Sequence, residues 1–154
     1  MSLEVFHHPS EAELGDARMV ALWSYWRGLC DGHALPSRMM IEPEELKPVL
    51  PWVFLIDVHG EGGFRYRLVG TAIVEEMGYD MTGQLVSNAY AGRDWDDVLK
   101  DYRYVIDRKR PCLTVNSVLL EPSGQRYSYS RLLLPLAADG TSVDMLLGAA
   151  IARD

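Results

Sequence analysis

The order of apolar and polar positions divides the chain into a helical first third, a strand pair, a helical insertion and a strand-rich last third. Ser10-Glu11-Ala12-Glu13 matches the capping box that opens a helix. Beyond it, Leu14, Ala17 and Ala21 fall on one line and Met19, Leu22, Trp23, Trp26, Leu29 and Cys30 on another. This broad stripe predicts a helix from Ser10 to about Leu29, with Gly32 as its stop. Met1–Pro9 has no period and reads as a frayed leader. Pro36, Pro43, Pro48 and Pro51 make Asp31–Pro51 a connector, with one short helical piece opened by Pro43 and ending at Leu46 or Lys47.

The runs Trp52–Val58 and Phe64–Val69 flank His59-Gly60-Glu61-Gly62-Gly63, whose glycines suit a tight reversal, so a hairpin is expected. Thr71 is placed as the cap of a short helix over Ala72–Met77 that Gly78 ends. Met81–Arg93 lacks a clear period and reads as loop. Asp94 then caps a helix in which Trp95, Val98, Leu99, Tyr102, Val105 and Ile106 form a buried stripe, ended by Arg108-Lys109-Arg110 and Pro111. Strands are predicted at Cys112–Leu120, Gln125–Leu136 and Ser142–Ile151, joined by Glu121-Pro122-Ser123-Gly124 and Ala138-Asp139-Gly140-Thr141. Short links between long strands mean an antiparallel meander. Two early strands, a helical insertion and three late strands make an α+β fold whose insertion covers one sheet face and can wall a pocket.

Composition narrows the class. A length of 154 residues suits one structural domain, with residues 1–50 packing as helix and connector on a core over 51–154. With 48% hydrophobic and 24% charged residues the chain is expected to fold nearly end to end. A net charge of −7 opposes the phosphate neutralisation that dominates nucleic-acid affinity, so nucleic acid is a poor partner. The longest apolar runs, Leu132–Ala138 and Met145–Ala152, fall short of the roughly 20 residues that span a bilayer. No basic-then-apolar leader opens the chain, and Cys30 and Cys112 form no CxxC, which argues against a signal peptide, a disulfide framework and a zinc site. A reducing cytoplasm is the simplest home.

Candidate chemistry is sparse. His7 and His8 fall in the leader, His33 in a loop and His59 in a turn, so none is spaced as a metal ligand pair. No nucleophile elbow, phosphate loop or dinucleotide fingerprint is present. Arg67 and Arg131 lie inside strand runs, where each either sits on a solvated or salt-bridged face or receives a carboxylate ligand. Tyr66, Tyr102, Tyr127 and Tyr129 are packing residues or polar tips in a pocket. Period-two alternation puts Tyr66 and Leu68 on one face, and the helical stripe aims Tyr102 and Ile106 inward. With Ile73, Met77, Val115, Tyr129 and Arg131 they form the candidate pocket set. Met19, Leu22, Trp23 and Trp26 either pack on their own sheet or pair two copies, and a homodimer is expected from the width of the stripe.

Several strings together carry a resemblance: Leu22-Trp23-Ser24-Tyr25-Trp26-Arg27-Gly28-Leu29, Pro36-Ser37-Arg38, Pro43–Pro51, Tyr66-Arg67-Leu68-Val69-Gly70-Thr71, Gly78–Gly83 and Leu132-Leu133-Leu134-Pro135-Leu136. In this order the chain resembles the bacterial single-domain PAS group labelled type 5. The resemblance implies a five-stranded antiparallel sheet in the order 2-1-5-4-3, helices over one face, and a small-molecule pocket or relay core between them. It also implies pairing through flanking helices and no catalytic chemistry. A haem-binding PAS domain uses a histidine on the long helix, and Trp95–Arg110 has none. A flavin photoreceptor carries a cysteine within Asn-Cys-Arg, and neither cysteine has those neighbours. Haem and a cysteinyl-flavin are therefore disfavoured. The expected function is a stand-alone cytoplasmic sensory or signalling module that binds a small molecule or a protein partner. Because the chain ends at Asp154, just past the last expected strand, the signal is expected to pass to a separate protein. The alternatives are a small enzyme on a cone-like α+β fold and a purely structural dimerisation domain.

Overall fold

A computed structural model describes residues 2–7, 9–60, 63–90, 92–119 and 126–153. Its backbone is a single antiparallel sheet with helices on both faces. The strands are β1 (Ser2–Phe6), β2 (Val53–Val58), β3 (Phe64–Val69), β4 (Cys112–Leu119), β5 (Arg126–Leu136) and β6 (Met145–Arg153). The helices are α1 (Glu11–Leu14), α2 (Ala17–Leu29), α3 (Thr71–Met77) and α4 (Gly92–Arg108). The sheet order is β1-β4-β5-β6-β2-β3. Without β1 this is the expected 2-1-5-4-3. Leu120, Gln125, the turn Glu121-Pro122-Ser123-Gly124 and the hairpin residues Glu61 and Gly62 lie outside the described residues.

Several local expectations are corrected. Ser2–Phe6, read as frayed, pairs with β4 from Ser2 opposite Ser117 to Phe6 opposite Leu113, adding a sixth strand. The N-terminal helix is broken: the Ser10 capping box forms with Glu13, but Gly15 turns to φ 74° and Asp16 caps a fresh helix by accepting from the Arg18 amide at 2.8 Å. Helix α2 then ends at Leu29, before Gly32. Thr71 is the first residue of α3, with Gly70 at the cap position, whereas Gly78 ends the helix at φ 85° as its lack of a Cβ allows. Asp94 likewise lies within α4, which starts at Gly92.

The sheet separates two cores. On one face α1, α2 and the connector cover Val53, Leu55, Leu113, Leu132, Leu134, Leu136 and Leu147. Trp26 is pinned there, its indole Nε1 donating to the Pro135 carbonyl at 2.9 Å, which satisfies the one polar atom that burial would strand. On the other face α3, α4 and the loop between them cover Phe54, Ile56, Phe64, Tyr66, Leu133 and Leu146. The insertion thus occupies one face as expected, and the N-terminal helices fill the opposite one.

Candidate functional site

A cavity of about 470 Å³ lies between the second face and its helical cover. That size falls within the span of small-molecule sites. Its sheet side is built by Phe54, Tyr66, Tyr129, Arg131, Ala150 and Ala152, and its helical side by Ile73, Met77, Met81, Ala89, Tyr90 and Tyr102, with Glu76 also on the wall. Small side chains on β6 leave the room. Gly148 lets the Phe54 ring approach that strand closely, since a Cβ there would come within 2.3 Å of the ring.

Of the candidate pocket residues, Tyr66, Ile73, Met77, Tyr102, Tyr129 and Arg131 are brought together on this wall. Leu68, Val115 and Ile106 are not. The β2–β3 register runs Leu55 with Leu68 but Ile56 with Tyr66, so Arg67 is an extra residue in β3. This bulge reverses the alternation, sending Leu68 to a shallower groove on the leucine side and Val69 to the cavity. On β4 it is Thr114 that joins Arg131 on the cavity side, and Val115 packs into the leucine core. Ile106, on α4, is half-buried against the same core without lining the cavity. Arg67 is exposed and pairs with Asp57 at 2.8 Å. Tyr127 has no described side chain. Among the proposed interface residues Met19, Leu22 and Trp26 are buried in their own core, and Trp23 packs half-buried against it with the Arg27 guanidinium over its ring.

Beneath the aromatic wall runs a buried polar network. Arg131, only 6% exposed, donates from Nη2 to Asp101 Oδ2 at 2.6 Å, and Thr114 Oγ1 donates to the same oxygen at 2.8 Å. The guanidinium carbon lies 5.9 Å from the Tyr102 ring centre. Burial works against the Arg131 charge, but Tyr90, Tyr102 and Asp101 outweigh it and hold the proton above the ordinary arginine range. Burial, reinforced by Tyr90, pushes the Tyr66 phenol up, and burial does the same to Tyr102. Burial also raises the Cys112 thiol to about 12. Both cysteines therefore stay protonated and poorly nucleophilic near neutrality, Cys30 being raised by burial too.

Metal and cofactor fits follow from the wall. Among the described residues no cluster of His, Cys, Asp or Glu could hold a metal, and no helix is long and apolar enough to cross a membrane. No histidine lines the cavity among the described residues, and His7 instead stacks on Tyr104 with ring centres 3.8 Å apart. No thiol lines it either: Cys112 faces Thr114 and Cys30 belongs to the leucine layer. A histidine-ligated haem or a cysteinyl-flavin adduct does not fit these residues.

The sequence pattern also passed over Phe54, Val69, Met81, Ala89, Tyr90, Ala150 and Ala152 as cavity residues. The usable signal was the run Gly148-Ala149-Ala150 with Ala152, small residues on a strand between two thick layers.

A six-stranded antiparallel sheet with an inserted helical cover and a cavity beneath it is an α+β domain built around a pocket. The chain belongs to the PAS type 5 family, whose model, described as a PAS domain, matches residues 16–151. Among solved structures the fold is similar to an RNA-binding light-oxygen-voltage receptor, with TM-score 0.53 and 13% identity over 98% of this chain and 38% of that one. It is similar to the Rhodobacter sphaeroides LOV protein, with TM-score 0.51 and 15% identity over 72% of this chain and 67% of that one. A fungal LOV domain photoreceptor shares the fold at TM-score 0.51 and 12% identity, over 90% and 95% of the two chains. The chain thus spans well under half of the RNA-binding receptor and about two-thirds of the Rhodobacter protein. No curated protein sequence matches it.

Proposed function

We propose that this PAS domain is a ligand-responsive signalling module that holds a small molecule between its sheet and α3–α4 and passes the change to a partner protein. The cavity carries this reading. The leucine face carries an open groove of about 420 Å³ beside the connector, whereas the cavity of about 470 Å³ on the aromatic face reaches beneath its helical cover to a buried charge. Close packing is the rule for protein interiors, so a void of this size with a partly polar wall points to an occupant. Helix α3 spans seven residues and its last, Met77, is 47% exposed, so an occupant pressing on its inner side can shift a surface that a partner reads. Absence of paired acids, a nucleophile with a base, or a metal cluster among the described wall residues gives an enzyme reading nothing to work with.

Native mass spectrometry of the purified protein, followed by a thermal-shift screen of small metabolites, tests the reading. A retained mass, or a compound that raises Tm by several degrees at about 100 times its Kd, is expected. A bare chain mass together with no stabilising compound would contradict it.

A further inference from the structure

Arg131 is the only cation lining the cavity among the described residues. Its neighbours use little of it. Nη2 donates to Asp101 Oδ2 at 2.6 Å and more weakly to Thr114 Oγ1 at 3.5 Å, while Nε is buried with no acceptor and Nη1 has none among the described residues. A guanidinium is a planar fork built to grip two oxygens at once, and buried donors left bare are costly. Asp101 takes one arm of the fork and leaves the rest unanswered.

Resting on the reading of the cavity as a ligand site, we infer that its occupant is a small monocarboxylic acid with a flat or apolar body. The carboxylate accepts from Arg131 at Nη1, since Nε is sealed from the cavity and Nη2 is held by Asp101, and the body lies between the Phe54 and Tyr66 rings and the Met77 and Met81 side chains. One negative charge is the right number. Asp101, itself buried at 9% exposure, already offsets the guanidinium and Glu76 adds a further acid to the wall, so a dianion such as phosphate would meet no spare positive charge in a chain of net charge −7. A monoanion gains through hydrogen bonds that Asp101 leaves unused rather than through net attraction. A water molecule could answer one donor but would leave the apolar remainder of the cavity empty.

Calorimetric titration with matched acid and amide pairs tests this: benzoate, phenylacetate, cinnamate and octanoate, each against its primary amide. In the wild-type protein at least one acid is expected to bind about ten- to a hundredfold tighter than its amide. Removing Arg131 alone would strand Asp101, so the first variant is Arg131→Gln with Asp101→Asn, its fold verified by circular dichroism and thermal unfolding. There the acid-to-amide ratio should fall to about one. Arg131→Lys, which keeps the charge without the fork, should lose about tenfold toward the acid. Equal affinity for acid and amide in the wild type, or an acid preference that survives in the double variant, overturns the carboxylate assignment while bound amide upholds the cavity as a ligand site. No acid binding at all also overturns the assignment, and the native mass and the metabolite screen then judge the cavity separately.

Discussion

The two faces of one sheet are finished in different ways. Under α1 and α2, Leu132, Leu134, Leu136 and Leu147 are buried to 1% exposure or less and meet other aliphatic side chains. Under α3 and α4, the same strands contribute Arg131, Tyr129 and a row of small residues, and the helices stand off far enough to leave a cavity. Alternation along β5 makes the division, because successive residues point to opposite faces. One face can therefore be spent on stability while the other is left free to bind. The fold's stability is expected to reside mainly in the leucine layer, and its responsiveness in the aromatic one.

The largest effect should come from breaking the Asp101–Arg131 ion pair buried beneath the cavity. Asp101→Leu leaves the Arg131 charge unpaired and is expected to cost about 3–5 kcal/mol in urea unfolding, whereas removing both charges together should cost far less. Next, Leu134→Ala should cost about 3 kcal/mol, and Met77→Ala on the partly exposed cavity side less than about 1 kcal/mol. Equal losses at the two sites would erase the contrast between the layers.

Much of this architecture was legible beforehand, for reasons that particular residues show. The five core strands, the capping box at Ser10 and the left-handed stop at Gly78 follow from local chemistry, and the strand order came with the PAS resemblance. Six of the nine pocket candidates converge on the cavity because the Trp95–Ile106 stripe and the strand alternation fix their faces. The pocket and strand failures are matters of register or partner, whereas the misplaced caps at Thr71 and Asp94 and the break at Gly15 are local. Nothing local announces that Arg67 is bulged, and that single extra residue moves Leu68 to the wrong side. Val115 fails by the same parity, since which face a strand turns inward depends on its neighbours. Ser2–Phe6 becomes a strand only because β4 offers a free edge, a long-range fact. The tryptophan stripe is wide because α2 must meet both the sheet and the connector, which consumes Met19, Leu22 and Trp26 inside the chain.

The aromatic face should also be the alkaline-sensitive one. Tyr66 and Tyr102 are held above the ordinary phenol value, so the fold favours their neutral form. Their contribution is fully present below about pH 10 and is lost as the pH rises above it, by roughly 1.4 kcal/mol per pH unit for each group. Urea unfolding between pH 8 and pH 11 should show that decline, and Tyr66→Phe should make it shallower. A Tyr66→Phe protein with an unchanged decline would contradict the assignment. A small change in stability is also expected from Ala150→Leu, which fills the cavity from β6. It should alter unfolding by less than about 1.5 kcal/mol and abolish any ligand-induced thermal shift. A shift that persists would place the ligand elsewhere.

The most direct test maps where a ligand touches. Methyl NMR of protein labelled at Ala, Ile, Leu and Met, titrated with phenylacetate and with the strongest compound from the thermal screen, reports both faces at once. The account predicts shifts concentrated at Ile73, Met77, Met81, Ala150 and Ala152, with Leu132, Leu134 and Leu136 left in place. Shifts centred on the leucine layer, or spread evenly through both layers, would contradict it.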